Sequence, residues 1–237
     1  MAVKRKLLFL ALLMSAFLLS GCLYPGDKEE RKKIPGEDQI LSVQQAVEKF
    51  REEEGGILPI KNQEAETDMY MKYPIDFKRL VPKYLSDIPA NAFENGGYYQ
   101  YVIIDPEKNP TVKVFDLRIA ETIRDIKIRL AAKKYPPYKD RLAKDVFTLD
   151  YKKLGYDKEP KVTSPFTMRE LSLVITGDGS ICVDYLPDLE KILAEKKDLS
   201  LKPGQDIRYV LTLDSPFVPA YSLPYTVDEN GRPVFKE

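Results

Sequence analysis

An internal repeat constrains the folds open to this chain more than any other feature. Laying residues 41–105 over residues 117–185 aligns YPIDFKRL (Tyr73–Leu80) with FTLDYKKL (Phe147–Leu154) without a gap. The first copy runs from a helical stretch through Leu58-Pro59-Ile60, the octet and Ile88-Pro-Ala-Asn-Ala-Phe93 to the apolar run Tyr98–Asp105. The second runs from a helical stretch through Tyr135-Pro-Pro-Tyr138, the octet and Ser164-Pro-Phe166 to Leu171–Tyr185. Corresponding points stay about 73 to 77 residues apart. A period of this size is one supersecondary unit used twice. The expected fold is therefore α+β, two tandem helix-loop-antiparallel β units, rather than a doubly wound sheet.

The apolar spacing predicts the elements. Ile40, Val43, Val47 and Phe50 recur at helical intervals before a Gly55-Gly56 stop, and Ile119, Ile123, Ile126 and Leu130 do the same in the second copy. Tyr98–Asp105 is expected to pair with Thr111–Phe115, and Leu171–Tyr185 to fold into a hairpin about Gly177-Asp178-Gly179. Pro187–Lys197 predicts a short helix with proline in its first turn. The alternation of Ile207, Tyr209, Leu211 and Leu213 predicts a half-buried strand. Asn230-Gly231 predicts a C-terminal hairpin.

The start of the chain has a different character. Lys4, Arg5 and Lys6 precede an apolar run from Leu7 to Leu19 that ends in Ser20-Gly21-Cys22, the pattern of a secretory signal. The run falls short of the roughly 20 residues a spanning helix needs. LLSGC resembles the lipobox of bacterial lipoproteins, which implies a diacylglyceryl group on Cys22 and display on the extracytoplasmic face of the cell membrane. Residues 23–37 hold two prolines, two glycines and eight charges, the composition of a tether. The expected organisation is a cleaved signal over 1–21, lipidated Cys22 and tether over 22–37, one unit over 38–115, a second over 116–185, and a short helix with closing strands over 186–237.

Composition narrows the chemistry. Without residues 1–21 the chain keeps 34 Lys and Arg against 37 Asp and Glu, which argues against nucleic acid as a partner. Histidine is absent, which removes Ser-His-Asp and Cys-His catalysis and His-ligated zinc. Cys182 is the only cysteine after Cys22, and its setting in a predicted strand reads as structural rather than reactive. Asp76 and Asp150 hold the same place in the two octets. They read either as a two-carboxylate site or, more plainly, as caps on the turns that follow. No calcium loop, phosphate loop or nucleophile elbow is present, so no enzyme activity, cofactor or metal is expected. The candidate ligand or partner contacts are aromatic: Tyr98, Tyr99 and Tyr101 after Asn95-Gly-Gly97, and Phe217 and Tyr221, with Tyr225, in SPFVPAYSLPY. Tyr99 and Tyr101 share one strand face and Tyr98 takes the other, so at least one set belongs to the core. The prolines of SPFVPAYSLPY predict an extended loop with its aromatics exposed or clamped over the core.

Taken together, Cys22, GGILPIKN, KYPIDFKRLVPKYL, ENGGYYQY and SPFVPAYS resemble a family of uncharacterised lipoproteins from Bacillus-type Gram-positive bacteria, some of them labelled as solute-binding parts of ABC transporters. The resemblance implies an anchor and a compartment and carries no functional residue with it. Residues 43–60 also bear a likeness to type IV pilin and pseudopilin heads, where a helix leads through Gly-x-x-Pro into an antiparallel sheet. The expected function is a non-catalytic binding or scaffold module for an envelope protein or cell-wall component; the alternative is the solute-binding lipoprotein of an ABC transporter.

Overall fold

A computed structural model describes residues 31, 33–61, 63–196 and 198–236; the expected signal, Cys22 and most of the expected tether lie outside these described residues. The first helix, α1, spans Glu37–Glu53 and buries Val43, Ala46, Val47 and Phe50 along one stripe. Glu37 and Asp38 occupy its first turn, where negative charge suits the helix dipole. It ends where Gly56 N–H bonds the Arg51 carbonyl at 2.8 Å, with Gly55 and Gly56 both at positive φ. A single turn, α2 (Phe77–Leu80), follows. The hairpin β1 (Tyr99–Ile104) and β2 (Thr111–Asp116) pairs Tyr99 with Asp116 and Ile104 with Thr111, within a residue of the expected strands.

The second unit opens with α3 (Arg118–Ala131), which buries Ile119, Ile123 and Ile126. Its sheet has the order β3 (Tyr138–Ala143), β4 (Val146–Leu149), β7 (Leu173–Thr176), β8 (Ile181–Val183), all antiparallel. A two-residue ladder, β5 (Val162–Thr163) with β6 (Glu170–Leu171), lies beside it. The chain closes with α4 (Leu186–Glu195) and the hairpin β9 (Tyr225–Val227) and β10 (Pro233–Phe235). The fold is thus α+β, with several small antiparallel sheets and a C-terminal hairpin. Among the described residues no helix is long and apolar enough to cross a membrane.

The repeat is visible bond by bond. Asp76 N–H donates to the Pro59 carbonyl at 2.7 Å, and Asp150 N–H donates to the Pro137 carbonyl at 2.8 Å. Ile60 bridges Ile75 just as Tyr138 pairs with Leu149. Pro74, within the octet, bridges Val102, close to the place where β4 pairs with β7. Ile75, Phe77 and Leu80 are buried in one copy, and Leu149, Tyr151 and Leu154 in the other. The two octets therefore share one structural task, which is to set three apolar anchors beneath a strand and turn sharply out of it. Asp76 Oδ1 accepts the Lys78 N–H and Asp150 Oδ1 accepts the Lys153 N–H. These bonds are turn caps, the plainer of the two readings of the paired aspartates.

The C-terminal segment holds the two units together. Val114 on β2 bridges Phe217, and Val183 on β8, its counterpart, bridges Ser222. Val114 N–H donates to the Pro216 carbonyl and Val218 N–H to the Val114 carbonyl, while Val183 N–H donates to the Tyr221 carbonyl. Residues 215–222 thus run as a short strap across the matching strands of both units. Pro216 and Pro219 lack N–H groups, which limits the strap to isolated bridges and keeps it from becoming a continuous strand. Of the two settings expected for the aromatics of this loop, exposed or clamped over the core, Phe217 takes the second: Phe217, Val218 and Ala220 are buried. Lys113 Nζ fixes the start of the strap, donating to the Thr212 and Ser215 carbonyls.

One expectation is corrected, and one strand was not expected. Ile207–Asp214 is not a strand; Arg208–Thr212 forms a 3-10 helix. Asp206 Oδ1 captures the Arg208 N–H at 3.0 Å and starts the turn, and burial of Ile207, Arg208, Val210 and Leu211 follows a period near three rather than two. Strand β3 was not visible in the apolar pattern because Lys139, Asp140 and Arg141 are exposed and bulges break its register. Backbone pairing to β4 alone defines it.

Candidate functional site

Of the six aromatics singled out as contact residues, four are excluded by burial: Tyr99, Tyr101, Phe217 and Tyr225, the last in the core of the second unit. Tyr99, Tyr101 and Phe217 lie in the core of the first unit. Tyr101 is fully buried, its hydroxyl donating to Asn91 Oδ1 at 3.0 Å, and Asn91 Nδ2 donates onward to Gln39 Oε1. Tyr99 accepts a bond from Arg118 Nη2 at 3.2 Å and packs on Phe217 with ring centroids 6.0 Å apart. A tyrosine with a satisfied hydroxyl fills an interior as well as it stacks on a ligand, and composition does not separate the two roles. The other two, Tyr98 and Tyr221, are half-buried. Tyr98 lies beneath the Arg118 guanidinium, 5.4 Å from ring centroid to carbon. Tyr221 adopts φ 57, an uncommon conformation for a bulky side chain, and floors a shallow hollow along α3.

A concavity with a clear apolar lining lies elsewhere, beside the C-terminal hairpin. It measures about 660 Å³ and lies between β3 and β10, walled by Leu142, Ala143, Leu186, Val234 and Phe235. Asp184, the residue after β8, and Lys236, the residue after β10, supply its polar groups. A second hollow of about 590 Å³ adjoins it across Phe235 and Lys236 and contains Asp178, Ser180 and Cys182. Together they make a groove between the second unit's sheet and the C-terminal hairpin. Strand β3, an edge strand of that sheet, lines one side through Leu142 and Ala143. The hairpin forms the other wall because Lys236 N–H bonds the Pro224 carbonyl and Gly204 N–H bonds Thr226 Oγ1.

Burial holds the Asp184 carboxyl above the usual carboxylate range. The Glu190 and Asp188 carboxylates push it the same way, against the Leu186 N–H that Asp184 Oδ1 accepts at 3.0 Å. Asp188 is also raised by burial, and the Ser164 and Thr167 hydroxyls that donate to it offset this in part. The folded protein therefore keeps a proton on Asp184 to higher pH than the unfolded chain does. The stabilisation this represents is complete below an unfolded value of about 3.9 and is lost as pH rises through the folded value. Asp184→Asn is expected to remove this contribution, so that on raising the pH above about 4 the urea midpoint of the variant falls less, or rises more, than that of the wild type. An unchanged slope would show that Asp184 titrates normally.

Cys182 is buried and its thiol is pushed up to about 11, first by burial and then by Asp178. That is the opposite of an activated nucleophile. Among the described residues no group of three acids or cysteines converges as a metal site would require. The first hollow is thus an apolar trough that carries Asp184 and Lys236, and the second adds Lys144, Asp145 and Asp178, an arrangement suited to holding an extended or amphiphilic partner. The aromatic pattern did not point to these residues, because the walls meet only through the pairing of β3 with β4 and the closing hairpin. One local signal was present: Asp184 interrupts an otherwise apolar Ile181-Cys-Val183 run, and a carboxylate at the end of a buried strand calls for an explanation.

The fold and groove define a class: a two-unit α+β module strapped by its own C-terminus, with a trough on the second unit. Residues 36–116, from the cap of α1 to the last residue of β2, match the family described as the YphF family N-terminal domain. No curated protein and no solved structure matches the chain.

Proposed function

We propose that the protein is a membrane-anchored extracytoplasmic lipoprotein that binds an envelope protein or a cell-wall component without catalysing a reaction on it. The observation that carries the reading is the trough beside the C-terminal hairpin, where apolar walls from β3 and β10 flank Asp184 and Lys236. Apolar walls with a few placed polar groups are the common form of a binding site. The signal run and LLSGC motif support the anchor. The alternative, a solute receptor of an ABC transporter, calls for parallel lobes on either side of a cleft, whereas the paired strands here are antiparallel; this favours the first reading.

The test is crosslinking and recovery of the protein from its own membranes, with Cys22→Ala as the control for the anchor and Leu142→Asp with Val234→Asp as the control for the trough. Both trough residues are partly exposed, so the double variant is expected to stay folded, each change falling within roughly 0.5 kcal/mol. Near-stoichiometric recovery of one envelope component by the wild type, lowered at least about tenfold in the trough variant, is the expected result. Equal recovery with both would remove the trough from the reading. A Cys22→Ala protein that remained mature and membrane-bound would remove the anchor.

A further inference from the structure

We infer that the exposed face of α3 is a docking strip for an anionic bilayer surface, so that the module lies against the membrane rather than hanging free on its tether. The inference rests on the anchored reading for its setting and on α3 for its substance. Residues 118–135 contain six bases and two acids, in a chain whose Lys and Arg equal its Asp and Glu. Arg118 and Arg129 are engaged by Asp116 and Asp125. Arg124, Lys127, Lys133 and Lys134 have no acidic partner among the described residues.

The unpaired bases are ordered. Arg124, Lys127, Ile128 and Ala131 recur at intervals of three and four and so share one face of the helix, and Lys134 and Tyr135 follow directly beyond its end. Ile128 is 59% exposed and Tyr135 is 73% exposed, the two most prominent apolar groups of this stretch. Beside them a shallow hollow of about 410 Å³ runs along the helix, floored by Tyr221 and bounded by Arg124, Lys127 and Ile128. Glu121 stands at the margin of the strip, and Asp125 is turned to Arg129 and Tyr156. A line of bases interleaved with an exposed isoleucine and tyrosine suits the interface of an anionic membrane, where charge draws the strip down and the apolar groups enter between headgroups. An acidic protein partner would meet the same charge, but nothing in a flat strip selects for a shaped surface.

The test uses the protein isolated from its own cells, mixed with vesicles of phosphatidylcholine alone or of phosphatidylglycerol with phosphatidylcholine, and footprinted by lysine acetylation. Flotation on phosphatidylcholine alone reads the anchor. The change in labelling between the two compositions reads the strip. Lys127, Lys133 and Lys134 are expected to be labelled about fivefold more slowly on the anionic vesicles, and Lys49 and Lys152, exposed elsewhere, at an unchanged rate. Arg124→Gln with Lys127→Gln, which keeps good helix formers at both sites, is expected to abolish protection of Lys133 and Lys134. Lys49→Gln with Lys152→Gln, an equal loss of charge, is expected to leave it intact. The inference is overturned if the α3 lysines label alike on both vesicles, if both double variants lose protection equally, or if protection appears only when a protein fraction from the envelope is added. Failure to float on phosphatidylcholine with protection still present on anionic vesicles would strike the anchor and leave the strip.

Discussion

Phe217→Ala is expected to lower the stability of the protein by about 3 to 4 kcal/mol, within the range for emptying a buried phenylalanine site. The side chain packs in the core of the first unit against Tyr99, and its backbone neighbours carry the bonds to Val114. The consequence should exceed a local cavity, because the strap is the element bonded to the matching strands of both units. Loosening its hold on β2 leaves β8 still bonded to Tyr221. The variant is therefore expected to unfold with separated transitions, amides of β1 and β2 exchanging before those of β7 and β8, where the wild type exchanges them together. A loss below about 1 kcal/mol with coincident transitions would show that the strap merely covers the core and does not couple its halves.

Arg208→Met is expected to be nearly as damaging, at about 3 kcal/mol. Arg208 is buried at 4% exposure and holds two carboxylates from distant parts of the chain. Its Nη1 donates to Asp68 Oδ2 at 2.6 Å, its Nε and Nη2 grip Asp206 at 2.8 to 3.2 Å, and its guanidinium carbon lies 5.0 Å from the Tyr70 ring centroid. Burial raises the Tyr70 phenol well above its ordinary value, so the ring contributes as a neutral aromatic face. Removing the cation leaves Asp68 and Asp206, each about three-quarters covered, facing one another unpaired. The mechanism has its own check: adding Asp68→Asn and Asp206→Asn to Arg208→Met should recover most of the loss, since the penalty arises from stranded charge more than from lost packing. If the triple variant is no more stable than the single one, lost packing around Arg208 accounts for most of the destabilisation. Arg208→Lys, which keeps the charge and loses the planar fork, should fall between.

Much of this architecture was legible because it is local. The stripe Val43, Val47, Phe50 and the stripe Ile119, Ile123, Ile126 are helical periods that a single turn after a single turn enforces, and both helices bury those residues. Gly179, with φ 86, and Gly231, with φ 77, sit in the two hairpin turns where positive φ was needed. The octets were legible for the same reason: a capping aspartate between buried positions on either side is a pattern within eight residues, and both copies use it alike.

The misreadings concern contacts that no local sequence pattern encodes. Tyr99, Tyr101 and Phe217 looked like contact residues because a tyrosine-rich run is equally consistent with an interface and a core. Which it becomes depends on Asn91 waiting beside Tyr101 and on the strap arriving from more than a hundred residues away to cover Tyr99. The run from Ile207 to Asp214 alternated like a strand, yet the salt bridge of Arg208 to Asp68, 140 residues earlier, needs that arginine turned inward and is met by a tight helix. The trough is likewise a product of assembly, since Leu142, Asp184 and Val234 belong to separate elements that meet only when the hairpin closes beside the second sheet.

The amino-acid sequence by itself therefore determined the main helices and hairpins, the twofold use of one unit, the turn caps and the absence of histidine chemistry, because each depends on residue identity or on spacings of a few residues. Only the tertiary structure decided which tyrosines are core, how the C-terminal strap couples the two units, and where a partner could be held. Those outcomes turn on which buried polar groups find one another and which apolar surface is left uncovered, and both are settled by the summed burial of the whole chain rather than by any segment of it.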